Sequence, residues 1–137
     1  MALIGLDHVV IRAHDPERLV AFYCSVLGCS VEKRQPEFGL VQLRAGRSLI
    51  DILHVTSGLG RDKGAGPSRA GGSNMDHLCL RVEPFDGAEL QSHLRRHGCE
   101  VGEIVQRYGA EGSGPSIYLA DPEGNTIELK GPPAKLC

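Results

Sequence analysis

A chain of 137 residues that is 41% hydrophobic and 23% charged has the make-up of one compact domain, or of two half-size modules sharing a core, which excludes a disordered chain. Its formal net charge of −2 offers no basic field to a phosphate backbone, so nucleic-acid binding is set aside. No run approaches the roughly 20 apolar residues of a membrane span, and "MALIGLDHVV" lacks the basic and long apolar parts of a signal peptide. A cytoplasmic protein with no membrane partner is therefore expected.

The first predicted element is "LDHVVIR", residues 6–12, where Val9 and Ile11 alternate with Leu6, His8 and Val10 as in a strand with His8 on the other face. In "AHDPERLVAFYCSVLGC" Asp15 can cap a helix and Pro16 fits its first position. Leu19, Phe22, Tyr23, Val26 and Leu27 then recur at helical spacing until Gly28. "CSVEKR", "GLVQLRA" and "SLIDILHV" follow as strands, punctuated by Pro36, Gly39 and Gly46. Residues 1–56 thus read βαβββ. Residues 57–73, "SGLGRDKGAGPSRAGGS", have no apolar period and read as a linker or loop.

Residues 74–133 repeat the order. "MDHLCLRV" is a strand, Asp86 caps a helix that turns Leu90 and Leu94 to the core, and Gly98 ends it as Gly28 ends the first. "EVGEIVQRYG", "PSIYLAD" and "NTIELKG" complete the module, with the turn "DPEGN" between the last two. "LDHVVIR" and "MDHLCLR" share one spelling: apolar, Asp, His, three apolar residues, Arg. The fold class is α+β with two βαβββ modules. Each is too small to bury much apolar surface alone and must pack on the other or on a second chain.

The duplication puts His8 and His77 at matched places. It also puts Asp51 between Ile50 and Ile52, and Glu128 between Ile127 and Leu129, in the last strand of each module. Strand neighbours alternate faces, so each acid points away from the isoleucines and leucine that pack under its helix. A carboxylate within an apolar strand costs free energy unless it is paired or bound to a cation. The economical arrangement turns His8, Asp51, His77 and Glu128 into one concavity around a divalent metal. Zn²⁺, Ni²⁺, Mn²⁺, Fe²⁺ and Co²⁺ all accept such donors. His54 is a competing ligand, but it falls on the strand face opposite Asp51. The five cysteines, Cys24, Cys29, Cys79, Cys99 and Cys137, show no CxxC spacing and read as thiols.

The doubled βαβββ pattern, His8 in "LDHVVIR", Asp51 in "LIDIL", His77 in "MDHLCLR" and Glu128 in "DPEGNTIELKG" resemble the vicinal oxygen chelate superfamily. That superfamily includes glyoxalase I, fosfomycin-resistance transferases, methylmalonyl-CoA epimerase, extradiol dioxygenases and bleomycin-resistance proteins. "YLADPEGNTIEL" is the most specific part of the likeness. The resemblance implies paired modules forming a curved mixed sheet around a metal cavity, and a homodimer, with modules of two chains often completing each site. It carries the usual ligand positions onto His8, His77 and Glu128. Asp51 stands where many metal-binding members have Glu, Gln or another ligand.

The chemistry so implied is bidentate binding of two adjacent oxygens of a small substrate, with Glu128 or Asp51 as general base. Arg107, Ser116 and Tyr118 are candidate substrate contacts. A metal-dependent lyase, isomerase or transferase is the leading expectation. The alternatives are a metal-independent ligand-sequestering protein of the bleomycin-resistance kind and an extradiol-type dioxygenase.

Overall fold

In the computed structural model, residues 1–2, 5–56 and 75–133 are described, so the expected linker at residues 57–73 and Cys137 lie outside the described residues. The chain divides into two compact units, Met1–Asn74 and Met75–Cys137. In the first unit β1 (His8–Ala13) leads into α1 (Pro16–Ser25), then β2 (Ser30–Gln35), a single 3-10 turn (Pro36–Phe38), β3 (Leu40–Ala45) and β4 (Ser48–His54). The second unit runs β5 (Leu78–Arg81), α2 (Gly87–Arg96), β6 (Val105–Gly109), β7 (Gly112–Ala120) and β8 (Thr126–Lys130). Both are βαβββ, as the sequence pattern predicts.

The two sheets share one topology, in strand orders β1-β4-β3-β2 and β5-β8-β7-β6. The first and last strands of each unit pair in parallel and the remaining neighbours are antiparallel. A strand followed by a helix and returning to its own last strand must pair in parallel, and this seats β4 and β8 at the centre of their sheets. The acid on each last strand is thereby flanked by neighbours on both sides.

Both helices start and stop by the same devices. The Asp15 carboxylate accepts from the Arg18 N–H at 3.2 Å and Asp86 from the Glu89 N–H at 3.2 Å, each satisfying a donor that the first turn leaves open. Gly28 and Gly98 both lie at φ +79°, where a side chain would be strained. After Gly98 the chain turns back with the Cys99 N–H on the Leu94 carbonyl and the Gly98 N–H on that of Arg95, which closes the helix end.

α1 buries Leu19, Val20, Phe22 and Tyr23 against a sheet face formed by Ile11, Val41, Leu43, Ile50 and Ile52. In the second unit Leu94 is the fully buried residue of α2, with Ile117, Leu119, Ile127 and Leu129 buried on the sheet, while Leu90 is half-buried. The strand expected from Glu100 to Gly109 is shorter, and regular pairing begins at Val105. Glu100, Gly102 and Glu103 supply no alternating apolar face to hold the earlier part. β5 likewise begins at Leu78, so His77 sits just before the strand. Among the described residues no helix is long and apolar enough to cross a membrane.

Candidate functional site

In the first unit β1 and β3 flank β4, with Val10 and Gln42 both level with Asp51 and His8 level with Leu49. His8, Val10, Gln42, Leu49 and Asp51 therefore share one sheet face, while Ile50 and Ile52 lie under α1. Asp51 is 4% exposed. Its Oδ2 accepts from the Gln42 side-chain N–H at 3.1 Å, and its Oδ1 is buried with no hydrogen-bond partner among the described residues. Leaving such a buried oxygen unsatisfied costs about 1–3 kcal/mol. The His8 Nδ1 meets the Asp7 carboxylate at 2.7 Å. That hydrogen bond raises the His8 pKa above its ordinary value against the opposing effect of burial, with the Asp51 charge adding to it.

His54 lies on the α1 side of the sheet, level with Ala13, so it does not join His8 and Asp51. Its Nδ1 accepts from the Thr56 N–H at 3.1 Å. It lines a cleft of about 450 Å³ at the start of α1, with His14, Glu17, Arg34, Pro36 and Leu40. None of the expected metal ligands borders this cleft.

In the second unit the register aligns Cys79, Glu128 and Tyr118 across three strands. The Tyr118 hydroxyl donates to Glu128 Oε1 at 2.6 Å, and the Cys79 thiol donates to the same carboxylate. Glu128 is 5% exposed. Burial works against its charge, but these two hydrogen bonds and the charges of His77 and Lys130 outweigh it and hold the carboxyl below its usual range. Burial and the neighbouring carboxylate push the Cys79 thiol up to about 12, so it serves Glu128 as a protonated donor. The His77 Nδ1 meets Asp76 at 2.7 Å, repeating the first unit.

The His77 ring stands edge-on to Tyr118 at 5.7 Å between centroids, and the Arg107 guanidinium carbon lies 5.8 Å from the Tyr118 centroid. Arg107, Tyr118 and Glu128 therefore form a continuous polar chain on one face. Ser116, also on that face, is fully buried, and its hydroxyl has no partner among the described residues. Arg81 is paired with Glu83 at 3.2 Å and Glu111 at 3.0 Å.

A consequence can be read at low pH. Because Glu128 has a folded pKa below its unfolded value, the stability it contributes is present above the ordinary Glu range and lost as pH falls through the folded value. Tyr118→Phe removes one of the lowering hydrogen bonds. The Glu128 carboxyl is then expected to protonate at higher pH than in the native protein, as read from its ¹³C shift; an unchanged midpoint would remove Tyr118 from this role.

The site residues thus arrive as two pairs, an imidazole with a buried carboxylate in each unit. Among the described residues no group of three His, Cys, Asp or Glu side chains is close enough to hold a metal ion. The chemistry of the donors nonetheless fits a divalent cation. Asp51 holds a buried, unpartnered oxygen, and each histidine engages Nδ1 on an aspartate, which leaves Nε2 for a ligand. Gln42, Asp7, Asp76 and Cys79 are the neighbours of the expected residues that sequence reasoning does not single out. For the aspartates the signal is in plain view, since both stand in the repeated spelling.

Residues 5–129 match the model of the Glyoxalase/Bleomycin resistance protein/Dioxygenase superfamily. The chain belongs to that superfamily. Among its relatives, the glyoxalase domain-containing protein RDO1 of Mycosarcoma maydis is 33% identical, over 94% of this chain and 69% of its own length. A lactoylglutathione lyase of Salmonella typhimurium is 27% identical, over 90% of each chain. The fold agrees with the crystal structure of virulence protein STM3117 from Salmonella typhimurium, at a TM-score of 0.77 and 24% identity, covering 96% of this chain and 99% of that one. Two four-stranded mixed sheets with a helix each are the glyoxalase-like fold of this superfamily.

Proposed function

We propose that the chain is a divalent-metal-dependent enzyme of glyoxalase type, which binds two adjacent oxygens of a small substrate and catalyses lyase, isomerase or transferase chemistry. His8 and Asp51 of the first unit and His77 and Glu128 of the second are the proposed metal donors, and their nature suits Zn²⁺, Ni²⁺, Mn²⁺, Fe²⁺ or Co²⁺. The observation that carries the reading is the unpartnered, buried Oδ1 of Asp51 on the same sheet face as His8, an arrangement that a cation makes favourable. The likeness to a lactoylglutathione lyase supports the choice of a lyase within this class.

When bound, the ion supplies Lewis-acid polarisation of the substrate oxygens. Glu128 takes and returns the proton beside the polarised carbon, its carboxylate oriented by the Tyr118 hydroxyl on Oε1. Asp51, fixed through Oδ2 by Gln42, would be the first unit's carboxylate donor to the ion. Arg107, beside Tyr118, receives an anionic part of the substrate. A homodimer in the cytoplasm is part of the proposal.

Metal analysis of protein purified without added metal tests it. The expected result is stoichiometric metal that vanishes in His77→Ala. No metal in either protein, together with normal binding of a hydrophobic ligand, would replace the enzyme by a ligand-sequestering protein. Sedimentation at micromolar concentration is expected to give a dimer.

A further inference from the structure

The same contact occurs once in each unit. His8 Nδ1 lies 2.7 Å from Asp7 Oδ2, and His77 Nδ1 lies 2.7 Å from Asp76 Oδ2. A carboxylate accepts and does not donate, so the proton in each contact sits on Nδ1. In the neutral ring that leaves Nε2 with its lone pair free. We propose that Asp7 and Asp76 are positioning residues that set His8 and His77 in the Nδ1–H tautomer, so that Nε2 is the nitrogen each presents to an incoming ligand.

Three features make this more than the accident of a neighbouring charge. First, the two contacts use the same atoms at the same distance in modules related by duplication. Second, each Asp is the sequence neighbour of its histidine, so no loop has to close to make the bond. The Asp7 and Asp76 side chains are 91% and 96% exposed, so each restrains its ring from the solvent side and leaves the sheet face clear.

Third, His54 shows the opposite arrangement in the same chain. Its Nδ1 accepts from the Thr56 backbone N–H, which places its own proton on Nε2. The two histidines that the duplication matches are set with Nε2 open, while one that lies on the other face of the first sheet is set the other way. Orientation of a ligating histidine by a carboxylate on its second nitrogen changes metal affinity by roughly 10–100-fold in other proteins. With the aspartates in solvent, the lower end is expected here.

The test uses the full-length, metal-free protein, with the ring ¹⁵N and carbon-bound proton resonances recorded above the histidine titration range and assigned with His8→Gln and His77→Gln. The expected spectrum gives His8 and His77 as Nδ1–H tautomers and His54 as Nε2–H. Asp76→Asn is expected to move His77 toward the Nε2–H form while His8 stays unchanged. Asp7→Asn should do the converse, and Asp76→Glu should restore the Nδ1–H form of His77. A wild-type His77 already in the Nε2–H form, or one that Asp76→Asn leaves unmoved in a protein whose other resonances are native, would overturn the proposal.

The affinity arm rests on the function proposed above and uses Co²⁺ alone. Asp76→Asn is expected to weaken Co²⁺ binding about tenfold. Wild-type protein that takes up no Co²⁺ would defeat the metal reading, while the tautomers still decide the role of the aspartates.

Discussion

Glu128→Gln is expected to leave the second unit folded and, under the proposed chemistry, to lower kcat by about 10²–10⁴-fold. The side chain keeps its volume, and its carbonyl oxygen can still accept from the Tyr118 hydroxyl, so the 2.6 Å contact has a successor. Ile127 and Leu129, at 0% and 2% exposure, pack on the other face of β8 and are untouched. What is lost is a proton acceptor and a negative charge. Each tenfold in rate corresponds to about 1.4 kcal/mol of barrier, so the range asks about 3–5 kcal/mol of this one group, within what a general base supplies.

In the lyase reading proposed above, the measurement is kcat on lactoylglutathione, the compound in the name of the Salmonella typhimurium relative, with metal content determined on the same preparation. Loss of turnover with metal retained assigns Glu128 the proton. Loss of both makes it a ligand first. Full turnover in Glu128→Gln would exclude it from the chemistry and shift the general-base role to Asp51.

Much of this site can be read from residue order, because a strand has a period of two. Asp51 between Ile50 and Ile52, and Glu128 between Ile127 and Leu129, must turn away from the faces under the helices, and they do. The duplication supplies His8 and His77. The hydrogen-bond partners are less legible because they depend on register between strands. Gln42 meets Asp51 because β3 and β4 join through a two-residue turn that pairs Ala45 with Ser48, and Gly46 at φ +60° makes that turn possible. Counting back from that closing pair brings Gln42 level with Asp51, so this contact follows once the turn length is known.

Tyr118 and Glu128 have no such short path. Ala120 and Thr126 are the last pair before a loop held by Asp121, which accepts from the backbone of Glu123 and Asn125 at 2.9 Å and from the Asn125 side chain at 2.8 Å. A loop of this length permits several registers, and its own side-chain bonds select one. The shortened β6 has the same origin, since Glu100, Gly102 and Glu103 offer no packing face and strand length is settled by what the neighbour can pair.

Asp51→Val is expected to stabilise the metal-free protein by about 1–3 kcal/mol in urea denaturation, an unusual sign for a buried substitution. Wild-type Asp51 keeps one oxygen buried with no partner among the described residues, and that cost is removed with the carboxylate. Valine suits a central strand between Ile50 and Ile52, and the half-exposed Gln42 amide freed by the change can turn to water. A site residue that destabilises its own fold is the signature expected where function sets the choice.

Added metal should reverse the order. A ligand that binds only the folded state at 100 times its Kd contributes about 2.7 kcal/mol, and at 1,000 times about 4.1 kcal/mol, which exceeds the whole cost of the orphaned oxygen. Wild-type protein titrated with Zn²⁺ is therefore expected to overtake Asp51→Val in denaturation midpoint, while the variant responds weakly. Should Asp51→Val instead lose stability without metal, the Oδ1 atom has a partner in solution and the case for a cation there falls. Equal gains with Zn²⁺ in both proteins would leave His8, His77 and Glu128 as the donors and remove Asp51 from the set.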